Sequence, residues 1–313
     1  MSRLRDLALG LSLTLAALPA AGEVAFVTCQ NGDAVSVVDL DTGTERARWE
    51  VPGKPAGVAV GKDAVFTVSP DSKTVRRFSL RGEVSASITL DGGPIGAAYD
   101  ARHDRLFVSD WYNARLWALD GTTLEVQAEL PAGAAPAGLA LSHDGTLLAA
   151  AERDADRVSL YDTETLARLR SVSVGTRPFG LGFAPDGRLF VGNVGSNDVT
   201  VIDPASGEVL ATVPVGERPY GVAFAAGRAF VTNQYENTLS VIALADLSPV
   251  ATLDTGEYPE GIAATHDGRI AVANWFDNTL SVIDAASLET VALLETADGP
   301  RAFGAFLFGG DLP

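Results

Sequence analysis

Apolar runs of four to six residues recur along nearly the whole chain, each closed by a cluster of Gly, Asn, Asp or Pro. One stretch shows the pattern: Gly221-Val222-Ala223-Phe224, then Arg228-Ala229-Phe230-Val231-Thr232, then Leu239-Ser240-Val241-Ile242, then Val250-Ala251-Thr252-Leu253. Val, Ile, Leu, Phe and Thr suit a pleated, half-buried surface, and the residues between the runs are turn formers. No interval carries an amphipathic helical pattern about 10 to 15 residues long. The pattern therefore predicts short antiparallel strands and disfavours a parallel α/β sheet.

The strands come in units. A Pro followed shortly by Gly recurs as Pro55-Ala56-Gly57, Pro94-Ile95-Gly96, Pro136-Ala137-Gly138, Pro178-Phe179-Gly180, Pro219-Tyr220-Gly221 and Pro259-Glu260-Gly261. A stretched seventh copy reads Pro300-Arg301-Ala302-Phe303-Gly304, and successive prolines lie 39, 42, 42, 41, 40 and 41 residues apart. A second marker, the residue closing an apolar run, keeps the same period at Asp39, Ser79, Asp120, Asp162, Asp203, Ala243 and Asp284. Four antiparallel strands in a repeat of about 40 residues make the blade of a β-propeller. The chain thus reads as all-β, a single seven-bladed propeller over residues 23–313. Residues 24–51 lack a first strand, whereas residues 303–308 supply one and nothing after it. The C-terminal strand is therefore expected to join the N-terminal blade and close the ring.

Arg3 and Arg5 precede an apolar run from Leu7 to Ala17, followed by Leu18-Pro19-Ala20-Ala21-Gly22. That is the pattern of a secretory signal peptide over residues 1–22, too short to span a bilayer, and it predicts a periplasmic or secreted protein without membrane insertion. Forty acidic residues against 23 basic ones give a net charge of −17, which argues against a nucleic-acid partner. The single cysteine, Cys29, excludes an internal disulfide or a Cys-based metal cluster, and is expected to be a small buried residue.

The segments Phe26-Val27-Thr28-Cys29, Phe190-Val191-Gly192-Asn193, Phe230-Val231-Thr232-Asn233 and Ala271-Val272-Ala273-Asn274, each leading to a third strand such as Leu280-Ser281-Val282-Ile283-Asp284, resemble the Tyr-Val-Thr-Asn repeat of bacterial YVTN-type propellers. The tail Gly299-Pro300-Arg301-Ala302-Phe303-Gly304 is also similar to that family's closing segment. Ser69, Asp110 and Glu152 depart from the Asn of the repeat. The resemblance implies an exported propeller of the surface-layer or periplasmic type, some of which stand near quinone-dependent dehydrogenase systems.

In such a blade the connections from strand 2 to strand 3, and from strand 4 to the next strand 1, share one face and ring the channel mouth. Rigid blades carrying variable loops make the mouth the expected site for a ligand or partner. Its candidates are Trp111, Tyr112, Arg177, Phe179, Arg218, Tyr220, Tyr235, Tyr258, Glu260, Trp275, Phe276 and Arg301. Aromatics and arginines together can stack a flat conjugated molecule and pair its carboxylates. The same residues also fit a purely architectural role, with rings wedged between blades. The ends of the second strands (Cys29, Ser69, Asp110, Glu152, Asn193, Asn233 and Asn274) form a polar ring best explained as turn caps. Within it, only Asp110 with Glu152 comes near a metal pair, and calcium is not expected. His103, His143 and His266 each precede an Asp in the turns of the opposite face, where neither a metal site nor a Ser–His–Asp triad can converge.

These residues lead to a non-enzymatic periplasmic binding or scaffold propeller, an expected monomer. Its partner would be another periplasmic protein or an acidic small molecule, with no resident cofactor, and its role accessory to a periplasmic, quinone-dependent oxidoreductase. The alternative is an enzyme, either a metal-assisted lactonase or lyase, or the cofactor-free propeller subunit of a dehydrogenase.

Overall fold

The computed structural model describes residues 22–310 and Leu312. The expected leader, apart from Gly22, lies outside the described residues. Seven sheets of antiparallel strands stand around a central channel. In chain order the blades run over residues 23–50, 57–89, 94–131, 136–173, 178–214, 219–254 and 259–295. In the six blades after the first, strand 1 faces the channel and strand 4 is outermost, while residues 23–50 supply strands 2 to 4 of the first blade.

Burial follows from this arrangement. Strand 2 of the second blade, Ala64–Ser69, is buried at every position because neighbouring blades cover both its faces. Its outer strand, Val84–Thr89, is mostly exposed or half-buried. The apolar clusters lie between blades: Phe230, Leu239 and Val241 of the sixth blade pack on Ile262, Ile270 and Val272 of the seventh. In all seven blades the pairing of strands 3 and 4 slips at one repeat position, from Val37/Val38 in the first to Val282/Ile283 in the last. Such bulges sharpen the local twist.

The Gly of each Pro-x-Gly unit has a packing reason. A Cβ on Gly57, Gly96, Gly138 or Gly180 would collide with the carbonyl oxygen of the x residue in the next blade (Ile95, Ala137, Phe179 or Tyr220). Inner strands can approach this closely only without a side chain.

The ring closes near the expected place, with a division of labour. Leu307–Gly309 is the innermost strand of the first blade, antiparallel to Glu23–Cys29. Phe303–Ala305, expected to belong to that same strand, instead runs parallel to Gly57–Val60 of the second blade. Between them Phe306 is fully buried, and its carbonyl accepts from the Phe26 amide at 2.8 Å. Gly304, at φ 133°, allows the crossing, since a Cβ there would strike the Val58 carbonyl. The tail thus completes the first blade, as expected, and also staples it to the second.

Candidate ligand site at the channel mouth

The mouth is held by one contact repeated around the ring. In the turn between strands 2 and 3 of five blades an Asp or Asn takes the left-handed conformation, and its side-chain oxygen accepts the amide of the residue before the next Pro, while Lys73 and Ala114 hold that position in the second and third blades. Asp33 accepts from Lys54 at 2.8 Å, Asp156 from Arg177 at 2.7 Å, Asn197 from Arg218 at 3.0 Å and Asn237 from Tyr258 at 2.9 Å. The residue before Pro is itself left-handed, at φ 55° for Arg177 and Arg218 and 60° for Tyr258. Non-glycine residues adopt this region rarely, and here the amide bond and the following Pro hold them in it.

The polar ring at the ends of the second strands is bonded mainly within its own blades, with Asp110 also capping the Gly93 and Tyr112 amides. Asn193, Asn233 and Asn274 each donate to side chains five and seven residues on, as when Asn274 Nδ2 meets Thr279 Oγ1 at 3.0 Å and Ser281 Oγ at 2.8 Å. Where a carboxylate replaces the amide, an arginine stands five residues on. Asp110 meets Arg115 Nε at 2.9 Å, and Glu152 pairs with Arg157. Burial alone would raise the Asp110 carboxyl, but hydrogen bonds from Gly93, Asn113, Arg115 and Tyr112 hold it below the usual range. No cluster of three or more His, Cys, Asp or Glu suited to a metal occurs among the described residues. Cys29 is buried, its thiol donates to the Val27 carbonyl at 3.3 Å, and burial pushes its pKa up to about 11. It is chemically quiet.

Inside this frame lies a cavity of about 510 Å³. Nine of the sequence candidates line it: Trp111, Phe179, Arg218, Tyr220, Tyr258, Glu260, Trp275, Phe276 and Arg301. Ile95, Arg153 and Gln234 join them. Trp111, Arg153, Gln234 and Trp275 occupy a single repeat position, the residue directly after the second strand, which sequence reading used only for its tryptophans. Arg153 opens a 3-10 helix, Arg153–Ala155, where the other blades have an ordinary turn. Arg177 and Tyr112 do not line the cavity, and both are exposed. Tyr235, 52% exposed, stands at the rim, where Arg218 lies 4.5 Å from its ring centre and donates to its hydroxyl at 2.6 Å.

The cavity has walls and a floor. Tyr258 packs on Phe276 at 4.9 Å between ring centres and on Trp275 at 6.5 Å, while the Arg153 guanidinium lies 5.3 Å from the Trp111 ring. Phe179 and Tyr220, candidates for stacking a ligand, are only 6% and 3% exposed and form the floor with Phe303. The three ring centres lie 4.5, 5.0 and 5.7 Å apart. Beneath this aromatic septum the channel continues as a second chamber of about 440 Å³, lined chiefly by glycine, alanine and aliphatic residues of the inner strands. His143 stands in its wall near the far opening. His103 and His266 sit apart from it in their own turns, on Asp100 at 2.6 Å and Glu23 at 3.2 Å.

Charge is concentrated at one corner of the mouth. Arg301 donates through Nε and Nη2 to the Tyr220 hydroxyl at 3.1 and 2.5 Å, and through Nη1 to Gln30 at 2.9 Å. Its Nε also lies 3.1 Å from Glu260 Oε2, and its guanidinium sits 5.0 Å from the Trp275 ring. Gln234 Nε2 donates to Glu260 Oε1 at 2.6 Å. Burial raises the Glu260 carboxyl to about 7, outweighing the stabilising charge of Arg301 and the bond from Gln234. Three polar atoms of the lining have no hydrogen-bond partner among the described residues: Gln234 Oε1, Glu260 Oε2 and Arg218 Nε. Buried polar groups are nearly always satisfied, so a cluster of exceptions inside a cavity points to a ligand.

No protein-family model matches the chain, and no curated protein matches it. Among solved structures, a chain of the Kuenenia stuttgartiensis hydrazine synthase is similar to it with a TM-score of 0.75. The chain has the β-propeller fold. The likeness covers 90% of this propeller and 100% of that chain, at 17% identity. At that identity it speaks for architecture alone, and the likeness to YVTN repeats rests on the motif residues themselves.

Proposed function

We propose that this propeller is an exported binding protein whose channel mouth takes a flat, acidic small molecule, in the service of a periplasmic oxidoreductase. The observation that carries the reading is the mouth cavity, where ring faces stand beside buried polar atoms that lack partners. Three arginines against one glutamate make its lining positive on a chain of net charge −17, which favours a carboxylate guest. A concave site of this size fits a small molecule better than the flat patch a folded protein partner would need.

The test is a titration of the purified chain with benzoate, 2-naphthoate and anthracene-2-carboxylate, followed by the fluorescence of its tryptophans. Affinity should rise with ring number, weaken in the matching carboxamides, and fall about tenfold in Arg218→Gln. Carboxamides that bind as well as the acids, or no saturable binding by any acid, would remove the reading.

Glu260 favours a second reading, in which the mouth is catalytic. A buried carboxyl raised to about 7 inside a cavity is suited to proton transfer near neutral pH.

A further inference from the structure

The mouth contains more unmet acceptors than an acidic guest could use. Gln234 is 2% exposed and Glu260 1%, and they are tied to each other by the 2.6 Å bond from Gln234 Nε2 to Glu260 Oε1. That bond leaves the remaining side-chain oxygen of each residue, Gln234 Oε1 and Glu260 Oε2, without a hydrogen-bond donor, and both residues line the cavity. Glu260 Oε2 has the charge of Arg301 nearby, but the guanidinium directs its hydrogens at Tyr220 and Gln30. To an ionised Glu260 a carboxylate guest brings acceptors only, so it answers Arg218 Nε and leaves this pair unmet.

We propose that the mouth selects aromatic acids that also carry a neutral N–H or O–H donor on the ring, read by Gln234 Oε1 and Glu260 Oε2. The donor is neutral because Arg153, Arg218 and Arg301 share the lining, and an ammonium group would enter against three positive charges. A flat guest between Trp111 and the Tyr258–Trp275–Phe276 wall then has two anchors: its acid on Arg218 and its donor on the Gln234–Glu260 pair. Sites with buried hydrogen-bonding groups reject analogues that cannot satisfy them far more strongly than apolar pockets reject a misfit.

This inference rests on the reading of the mouth as a site for flat acids, and a matched pair of probes separates the two. Indole-5-carboxylate and benzothiophene-5-carboxylate have nearly the same shape and charge, but only the indole has a ring N–H. With the full chain, calorimetry should show both binding, the indole about 10- to 100-fold tighter. In Gln234→Leu, which leaves the Glu260–Arg301 pair in place, that preference should shrink to a few-fold while the affinity for benzothiophene-5-carboxylate holds. Glu260→Gln, which keeps an acceptor but turns a donor toward Arg301, should also reduce the preference. Melting curves identify any variant that fails to fold, and the other then decides. Equal binding of the two probes to the parent chain, or a preference that survives in the folded variants, would overturn the donor inference and leave the acid site standing. Failure of both probes to bind would overturn both.

Discussion

The two chambers of the channel are built by the same seven repeats and separated by three aromatic rings, yet they are chemically unlike. The inner-strand chamber is walled by residues such as Ala98, Leu139, Leu181, Val222 and Ile262, set among the glycines that let the blades meet. The mouth gathers rings, arginines and an unsatisfied carboxyl–amide pair within a similar volume. The difference lies in which repeat positions are constrained. Gly of Pro-x-Gly must accept a neighbouring carbonyl, and Asp or Asn of the strand 2–3 turn supplies the clamp where it is present, so both serve closure of the ring. At three positions the backbone takes part in that closure but the side chain does not: the x residue, the residue before Pro, and the residue after strand 2. Those three supply eleven of the twelve lining residues, the exception being Phe276. Stability and chemistry are thus written at different places in one repeat, and substitutions can test the separation.

The largest effect should come from the wall. Gly180→Ala places a Cβ against the Tyr220 carbonyl, so the backbone of two blades must shift. Denaturant unfolding should show a loss of about 2–4 kcal/mol. Gly187→Ala, in a turn with φ 90° and open space around it, should cost about 1 kcal/mol. Equal losses at the two positions would mean that the inner-strand contact does not hold the ring.

Glu260 stands between the two classes, because its burial makes a mouth residue matter for stability. Its carboxyl titrates near 7 when folded and near its ordinary value of 4.5 when unfolded, so between those values the folded state holds the extra proton. Its contribution to stability is complete below pH 4.5 and falls by roughly 3 kcal/mol as pH rises to 7. Relative to Glu260→Gln, the parent chain should therefore lose stability across that window and level off above it. A flat difference between the two would show that the carboxyl is ionised throughout.

The smallest effect belongs to Arg177, which the sequence places at the mouth and the structure leaves outside the cavity lining. Arg177→Gln should leave affinity for 2-naphthoate within about twofold, in contrast to Arg218→Gln. A comparable loss from both would indicate that charge at the rim acts at a distance and that position in the lining is irrelevant.

The architecture was legible because two unrelated markers kept one period, and because a single strand was missing at one end and spare at the other. Much of the mouth was legible for the same reason: repeat arithmetic fixes which residues share a face. What the arithmetic lacks is the direction of a side chain. Arg177 and Arg218 occupy one repeat position with one backbone conformation, yet only Arg218 has Tyr235 within reach to draw it over the cavity. Gln234 had a signal, since it stands where other blades hold Trp111 and Trp275, but an amide between two polar residues looks like an ordinary loop. Arg153 was hidden by the change from an Asn-led turn to a 3-10 turn. The tail misled differently. A spare strand implied a single pairing, whereas Gly304 lets Phe303–Ala305 and Leu307–Gly309 serve two blades.

That double pairing also sets an order of events in time. The first blade's strands lead the propeller in the sequence, and its inner edge is covered only by residues that follow all the other blades. For a chain that emerges from its N-terminus at ~5–20 residues per second, that edge stays bare on the order of tens of seconds. During that interval the first blade is an open template for any other strand. The last segment to appear is therefore also the one that ends the risk, and the wait grows with every residue placed between the two.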